Sequence, residues 1–342
     1  MPAPAPLSNP AARDGERAGA RSERPERPEG NADLVRQVLA FALAHARLQG
    51  PVDAEQIPDV PVRVTKADAR SVPPLELRER LDEILLSKKA DIGLVLLERS
   101  GFLQAVLPEI CELVGFGEGH NKHKDVWRHT LQVVIQSLPR PAVRWAALFH
   151  DVGKPRTRSI APDGTVHFLH HAEVGARMFH KVAARERLFE GDSELKERIQ
   201  FLVLHHQRAH QYEESWTDSA TRRFAREIGD ALPDLMALSR ADMTTKRKEK
   251  RRRFMVQLKE LQTRIDALLL EDNKPKALPK GLGEALIETF RLPPSKLVGD
   301  IRKKLELAVE NGELPLQADF DVYLDFVRQN PERFCLPEQG EL

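Results

Sequence analysis

The chain has 342 residues, 41% of them hydrophobic, enough for one large or two modest domains with a real core. Its 53 lysines and arginines against 52 acids exclude a nucleic-acid binder defined by overall charge and leave only local patches to consider. The two distant cysteines, Cys111 and Cys335, exclude a disulfide framework or a CxxC zinc site. No apolar run approaches the roughly 20 residues of a membrane span, and the N-terminus carries no apolar signal core, so a cytoplasmic protein without a membrane partner is expected.

In chain order, residues 1–31 are rich in proline, alanine and alternating charge with almost nothing to bury, and are expected to form a disordered arm. From Ala32 onward apolar residues recur at helical spacing, broken at short intervals by proline and glycine. A strand pattern is nearly absent; the exception is a hairpin around "IAPDGTVHF", where Asp163-Gly164 is turn chemistry. The fold class predicted is therefore all-α.

Asp125 is placed to cap a helix through "VWRHTLQVVIQSL", and Pro139 and Pro141 close it and open "AVRWAALFHD", which Gly153 and Pro155 end. His129 lies 11 residues before Arg140 and His150 lies 10 after it, so an antiparallel pair brings both to one height. His150 continues the inward stripe of Val143, Ala146 and Ala147, with Asp151 about 100° around the helix. His171 opens the next helix, and Gly175 one turn later lets it approach a neighbour closely. In "SELKERIQFLVLHHQ", His206 continues Leu195, Ile199, Leu202 and Val203, whereas His205 continues Glu197 and Arg198, so His206 faces inward. Asp242 sits on the stripe of Leu235, Leu238 and Ser239, where a carboxylate is costly unless a cation or several donors meet it.

A lone core histidine is usually a satisfied hydrogen-bonding residue. Histidines and aspartates on the inward faces of four or five helices are harder to satisfy singly, and one or two divalent metals satisfy them together. The order His129, the doublet His150-Asp151 followed by "VGKP", then His171, His206 and Asp242 resembles the HD superfamily of metal-dependent phosphohydrolases. "HKDVWRHTLQVV", "AALFHDVGKP", "DGTVHFLHHAEVGA", "IQFLVLHHQ", "TRRFAREIG" and "LMALSRADM" are similar to the HD region fused behind bacterial tRNA nucleotidyltransferases and poly(A) polymerases. Flanking helices resemble the neck, body and tail of those enzymes, so that the resemblance covers about residues 60 to 330. It implies an HD-type helical core with neck and tail regions. The divisions expected are 1–31 for the arm, 32–119 for the neck and body, 120–245 for the metal-binding phosphohydrolase domain, and 246–342 for a basic helix and helical tail.

The glycine-rich turn and paired aspartates of a nucleotidyltransferase head are not found. "DFD" at Asp319 to Asp321 reads as a helix-capping segment and "GFGEG" at Gly115 to Gly119 as a loop, so nucleotide addition is not expected. By the resemblance, His129, His150, Asp151 and Asp242 hold a first metal and His171 and His206 add a second. A histidine-rich set favours Mn, Fe, Co or Ni over Mg. Such an ion acidifies water and polarises a phosphoryl oxygen, with Asp151 able to steer the water and Lys154 placed either for the substrate phosphate or for the helix dipole. Arg222 and Arg223 carry the same ambiguity. "KRKEKRRR", Lys246 to Arg253, is either a solvated helix face or a track for a nucleic-acid backbone. The function expected is hydrolysis of a nucleotide or RNA-end phosphoester, with 2′,3′-cyclic phosphates a natural candidate. The alternative is a tRNA- or RNA-binding module without nucleotidyl transfer of its own.

Overall fold

The computed structural model describes residues 30–49, 57–117, 125–273 and 275–336. The arm expected at 1–31 lies outside these residues up to position 29, as do the start of "HKDVWRHT", the end of "GFGEG" and the boundary at 119/120. The described chain is all-α apart from one two-stranded ribbon. It divides into two compact units, one made of residues up to 215 together with 227–259, the other of 216–226 and 260–342.

The first unit opens with α1 Ala32–Ala46, capped by the Asn31 side chain, which accepts from the Leu34 N–H. After α2 Lys66–Arg70, opened by a Thr65/Asp68 capping box, come α3 Pro74–Leu86, α4 Ala90–Arg99, α5 Phe102–Val106 and α6 Pro108–Cys111. The apolar stripes of α1, α3 and α4 pack on one another.

Next comes the helical hairpin that the prolines predict, α7 Val126–Gln136 and α8 Pro141–Phe149, with Asp125 as N-cap of the first and Pro141 at the first position of the second. Every residue of α8 from Ala142 to Phe149 is buried, because α3, α7, α11 and α13 surround it. Trp145 and Phe149 anchor an aromatic cluster with Phe179 and Phe189. Even Arg144 is buried here, donating to the Leu85 carbonyl at 3.1 Å. Desolvation lowers its guanidinium to about 10, only partly offset by Asp91.

The short α9 Lys154–Thr157 leads into β1 Arg158–Ile160 and β2 Val166–Phe168, paired antiparallel with Ser159 opposite His167. Gly164 supplies the positive φ of +81° in the connecting turn, as the Asp-Gly pair predicts. Then follow α10 His171–Glu186, α11 Ser193–His205, a 3-10 turn at Arg208–Gln211, α12 Asp218–Ile228, a second 3-10 turn at Gly229–Ala231, α13 Leu232–Asp242 and the long α14 Lys248–Asp272.

The second unit has its own core, in which Leu282, Leu286, Ile301, Leu305, Tyr323 and Phe334 are buried together. That core is built from α15 Leu282–Phe290, α16 Lys296–Glu310, α17 Phe320–Gln329 and α18 Pro331–Phe334, and the unit also takes in parts of α12 and α14. Asp319 stands at the N-cap of α17, as read from the sequence, although its side chain makes no capping hydrogen bond.

Candidate metal centre

Five segments of the first unit deliver the candidate ligands. The Asp125 carboxylate accepts from the Trp127 and Arg128 N–H groups, which starts α7 and sets His129 one turn in. The last turn of α8 runs into His150 and Asp151, and the chain then bends so that the Lys154 N–H donates to the Asp151 carbonyl at 3.0 Å. This bend lies against the start of α10. A Cβ on Gly153 would sit 2.1 Å from the His171 carbonyl oxygen, so the close approach requires glycine here. Gly175, singled out from the sequence for that role, faces only ordinary contacts beginning at 3.4 Å. His206 follows the end of α11 and Asp242 ends α13.

These side chains converge. His129 Nε2 lies 3.2 Å from His150 Nε2 and 3.0 Å from Asp242 Oδ1. His171 Nε2 lies 3.3 Å from His206 Nε2. Asp151 stands between the two pairs: Oδ2 is 3.2 Å from His150 and 3.4 Å from His129, and Oδ1 is 3.6 Å from His171. Two sets of ligand atoms result, His129/His150/Asp242 and Asp151/His171/His206, the atoms of each lying within 4.8 Å of one another. His205 is half-buried beside Phe201, whereas His206 is buried, in the order that the helical stripes predict.

Each ring is held by its other nitrogen. The Nδ1 atoms of His150, His171 and His206 meet the carbonyls of Ala147, Phe168 and Val203 at 2.8, 2.7 and 2.8 Å, and His129 Nδ1 meets Thr244 Oγ1 at 2.9 Å. A carbonyl can only accept, so those three Nδ1 atoms carry the proton. Where such a ring is neutral, its Nε2 is a lone pair. Burial holds the His171 and His206 imidazoliums down, His206 to about 4, with the charge of His150 adding to the effect at both. Two neutral nitrogens thus present lone pairs to each other at 3.3 Å, a repulsive arrangement that a cation between them turns into a favourable one.

The remaining groups balance charge. Burial opposes the His150 imidazolium, but Asp151 and Asp242 outweigh it and raise the group to about 10. Burial likewise opposes both carboxylates, and the His150 and His129 side chains, joined at Asp151 by Lys154, hold them well below the usual carboxylate range. Lys154 Nζ lies 2.9 Å from Asp151 Oδ2 and 5.5 Å from the Phe168 ring centre. It is thus turned into the site, not onto the end of α8. Arg222 behaves otherwise: within the second unit its guanidinium is committed to Glu271 at 2.6 Å and Asp272 at 2.9 Å.

Two neighbours were not read from the sequence. Thr244 holds His129, and His210, on the 3-10 turn after α11, brings Nε2 to 3.7 Å from Asp242 Oδ2 with its ring stacked on Phe254. The available signal was a third histidine four positions after His206 in "HHQRAHQ".

Residues 126–247 match the family model of the HD domain. The chain is 36% identical over 280 residues to a CC-adding tRNA nucleotidyltransferase of Thermus thermophilus, an alignment that covers 79% of this chain and 61% of that protein. It is 34% identical over 248 residues to an A-adding tRNA nucleotidyltransferase of Deinococcus radiodurans, covering 70% and 55%. A multifunctional CCA protein of Aliivibrio salmonicida is 28% identical over 190 residues, covering 53% and 44%. The chain therefore spans about three fifths of the first two relatives' length.

Proposed function

We propose that this chain, which carries an HD domain at residues 126–247, is a metal-dependent phosphohydrolase acting on a nucleotide or an RNA-end phosphoester. The observation that supports it most is the convergence of His129, His150, His171 and His206 through Nε2 while every Nδ1 is engaged elsewhere. That tautomer control is what ligation by neutral imidazole needs. His129, His150, Asp151 and Asp242 would hold one ion, and His171 and His206, with Asp151 shared, a second. The nitrogen-rich donor set suits Mn, Fe, Co or Ni better than Mg.

Such an ion supplies Lewis acidity toward a phosphoryl oxygen and toward a water. The chain's own residues do the rest. Asp151, ionised and buried, would be shared by both ligand sets when two ions are bound; with a single ion, its remaining oxygen orients the water. Lys154, in contact with Asp151, brings a fixed positive charge to the place where phosphate oxygens arrive. The burial of His150, Asp151, His171 and His206 keeps bulk water from these charges, which strengthens each interaction.

A second reading is a tRNA-binding module with a structural metal. It is favoured by the likeness to tRNA nucleotidyltransferases and by the exposed run Lys246 to Arg253, a few residues after Asp242. One experiment separates the two. Purified protein is analysed for metals, loaded with Mn(II), Co(II) or Ni(II), and offered 2′,3′-cyclic nucleotides, mononucleotides and a chromogenic phosphodiester. Hydrolysis that disappears on chelation and in Asp151→Ala is the expected result. A metal-loaded protein that binds tRNA and cleaves none of these sinks the hydrolase reading in favour of the second.

A further inference from the structure

The Asp242 carboxylate is divided between two neighbours. Oδ1 faces the histidine pair, 3.0 Å from His129 Nε2 and 3.6 Å from His150 Nε2. Oδ2 faces the other way, 3.7 Å from His210 Nε2. A carboxylate ligand turns about its last side-chain bond between one-oxygen and two-oxygen coordination, so whatever holds the second oxygen sets the ligand geometry.

His210 is built to hold it. Its ring lies nearly parallel to that of Phe254, centroids 4.4 Å apart at 15°, and Phe254 is itself buried on α14. His210 sits on the 3-10 turn Arg208–Gln211, which starts two residues after His206 and so ties the ring's backbone to the end of α11. With the ring stacked on Phe254, the nitrogen that reaches the carboxylate is Nε2, 3.7 Å from Asp242 Oδ2. Closing the gap by about 0.5 Å brings Nε2–H and Oδ2 to hydrogen-bond length.

We infer that His210 is a positioning residue for Asp242: by holding Oδ2 it leaves Oδ1 alone to the metal beside His129 and His150. The inference rests on the metal-centre reading above and assigns His210 no contact with substrate. Phe254 belongs to the same device, because it fixes the ring that fixes the carboxylate. Thr244 does the equivalent for His129 through Nδ1, so the segment following Asp242 supports two ligands of the same set.

Titration with Co(II), followed by calorimetry and by the visible spectrum of the ion, tests this on the whole chain. His210→Leu keeps an apolar side chain against Phe254 and removes both nitrogens; His210→Gln returns an N–H donor near the Nε2 position. Outer-layer partners of metal ligands are worth about 10- to 100-fold in affinity, so His210→Leu should weaken Co(II) binding by that order and change its absorption bands. His210→Gln should recover most of the affinity and the spectrum of the parent, and Phe254→Ala should fall between. Thermal unfolding of the metal-free proteins identifies any variant whose fold is lost, and the Gln variant then carries the comparison. Parent-like affinity and spectrum in His210→Leu would overturn the inference. Failure of the parent protein itself to bind Co(II), Mn(II) or Ni(II) would overturn the metal-centre reading and this inference with it.

Discussion

Asp151 reaches both candidate ligand sets, with Oδ2 against His150 and His129 and Oδ1 against His171. Its removal uncouples two positions at once, so Asp151→Ala should lower hydrolysis by more than about 100-fold, beyond what an outer-layer partner is worth. The helical circular dichroism should persist with a lower Tm, because the buried His150 charge then loses the nearer of its two carboxylates. His206→Ala should cost far more metal affinity and activity than His205→Ala. The opposite ranking would refute the facing of α11. The proton on His150 gives a third test. Its group rises from 6.5 to about 10 on folding, so its pairing stabilises the metal-free fold fully below pH 6.5 and is lost as pH rises toward 10. A metal must displace that proton, so its apparent affinity should grow with pH by up to about tenfold per unit over that window. Calorimetry near pH 7.5 in two buffers of different ionisation enthalpy should report release of about one proton per chain. The gain in Tm on adding metal should be larger at pH 9 than at pH 6.5; a gain independent of pH would mean that His150 is not the proton-bearing ligand.

At the scale of elements, the α7–α8 hairpin was legible because proline and a capping aspartate mark its ends and an unbroken 3.6-residue stripe marks its faces. The same logic placed His206 inward and His205 outward. What escaped was whatever depends on a partner far along the chain or on a segment without a period. His210 sits on a 3-10 turn, where no stripe points a side chain, and its meaning comes from Asp242 and Phe254. Arg144 looks like a surface residue in sequence, yet α8 is surrounded and the guanidinium ends on the Leu85 carbonyl. The glycine of consequence was misjudged for a related reason: a helix-helix contact suggested Gly175, but the tightest approach is between the bend after Asp151 and the backbone of His171. Gly153→Ala must therefore move the backbone, and should destabilise the fold by about 1–3 kcal/mol while weakening metal binding. Gly175→Ala should be milder in both urea denaturation and metal titration. If the two rank equally, the contact at Gly153 is not what holds the two metal sets together.

For the molecule as a whole the open question is whether its substrate is small or a polymer, and the start of α14 is where the two answers differ. Lys246, Arg247, Lys248, Lys250, Arg251, Arg252 and Arg253 are all exposed, and the first turn of this 25-residue helix contains Glu249 as its acid. Cations at a helix N-terminus oppose the positive end of the macrodipole by about 0.3–1 kcal/mol each, so this placement costs stability where a mixed surface would not. A phosphate backbone lying there would offset that cost. Neutral replacement of Lys246, Arg247, Lys248, Arg251, Arg252 and Arg253 should then raise the Tm of the free protein and weaken tRNA binding. It should also flatten the salt dependence, since each lost phosphate contact removes roughly one released counterion. Lys250 is kept because its charge acts on His210, and changing it would mix the track with the metal centre. Hydrolysis of a mononucleotide should survive, since a small substrate needs the metal ligands and Lys154 but no track. Unchanged tRNA affinity and salt slope would reduce the run to a solvated helix face and leave the RNA reading to the resemblance alone. Collapse of mononucleotide hydrolysis with the metal still bound would place the run inside the active site, where a polymer and a nucleotide share the same cations.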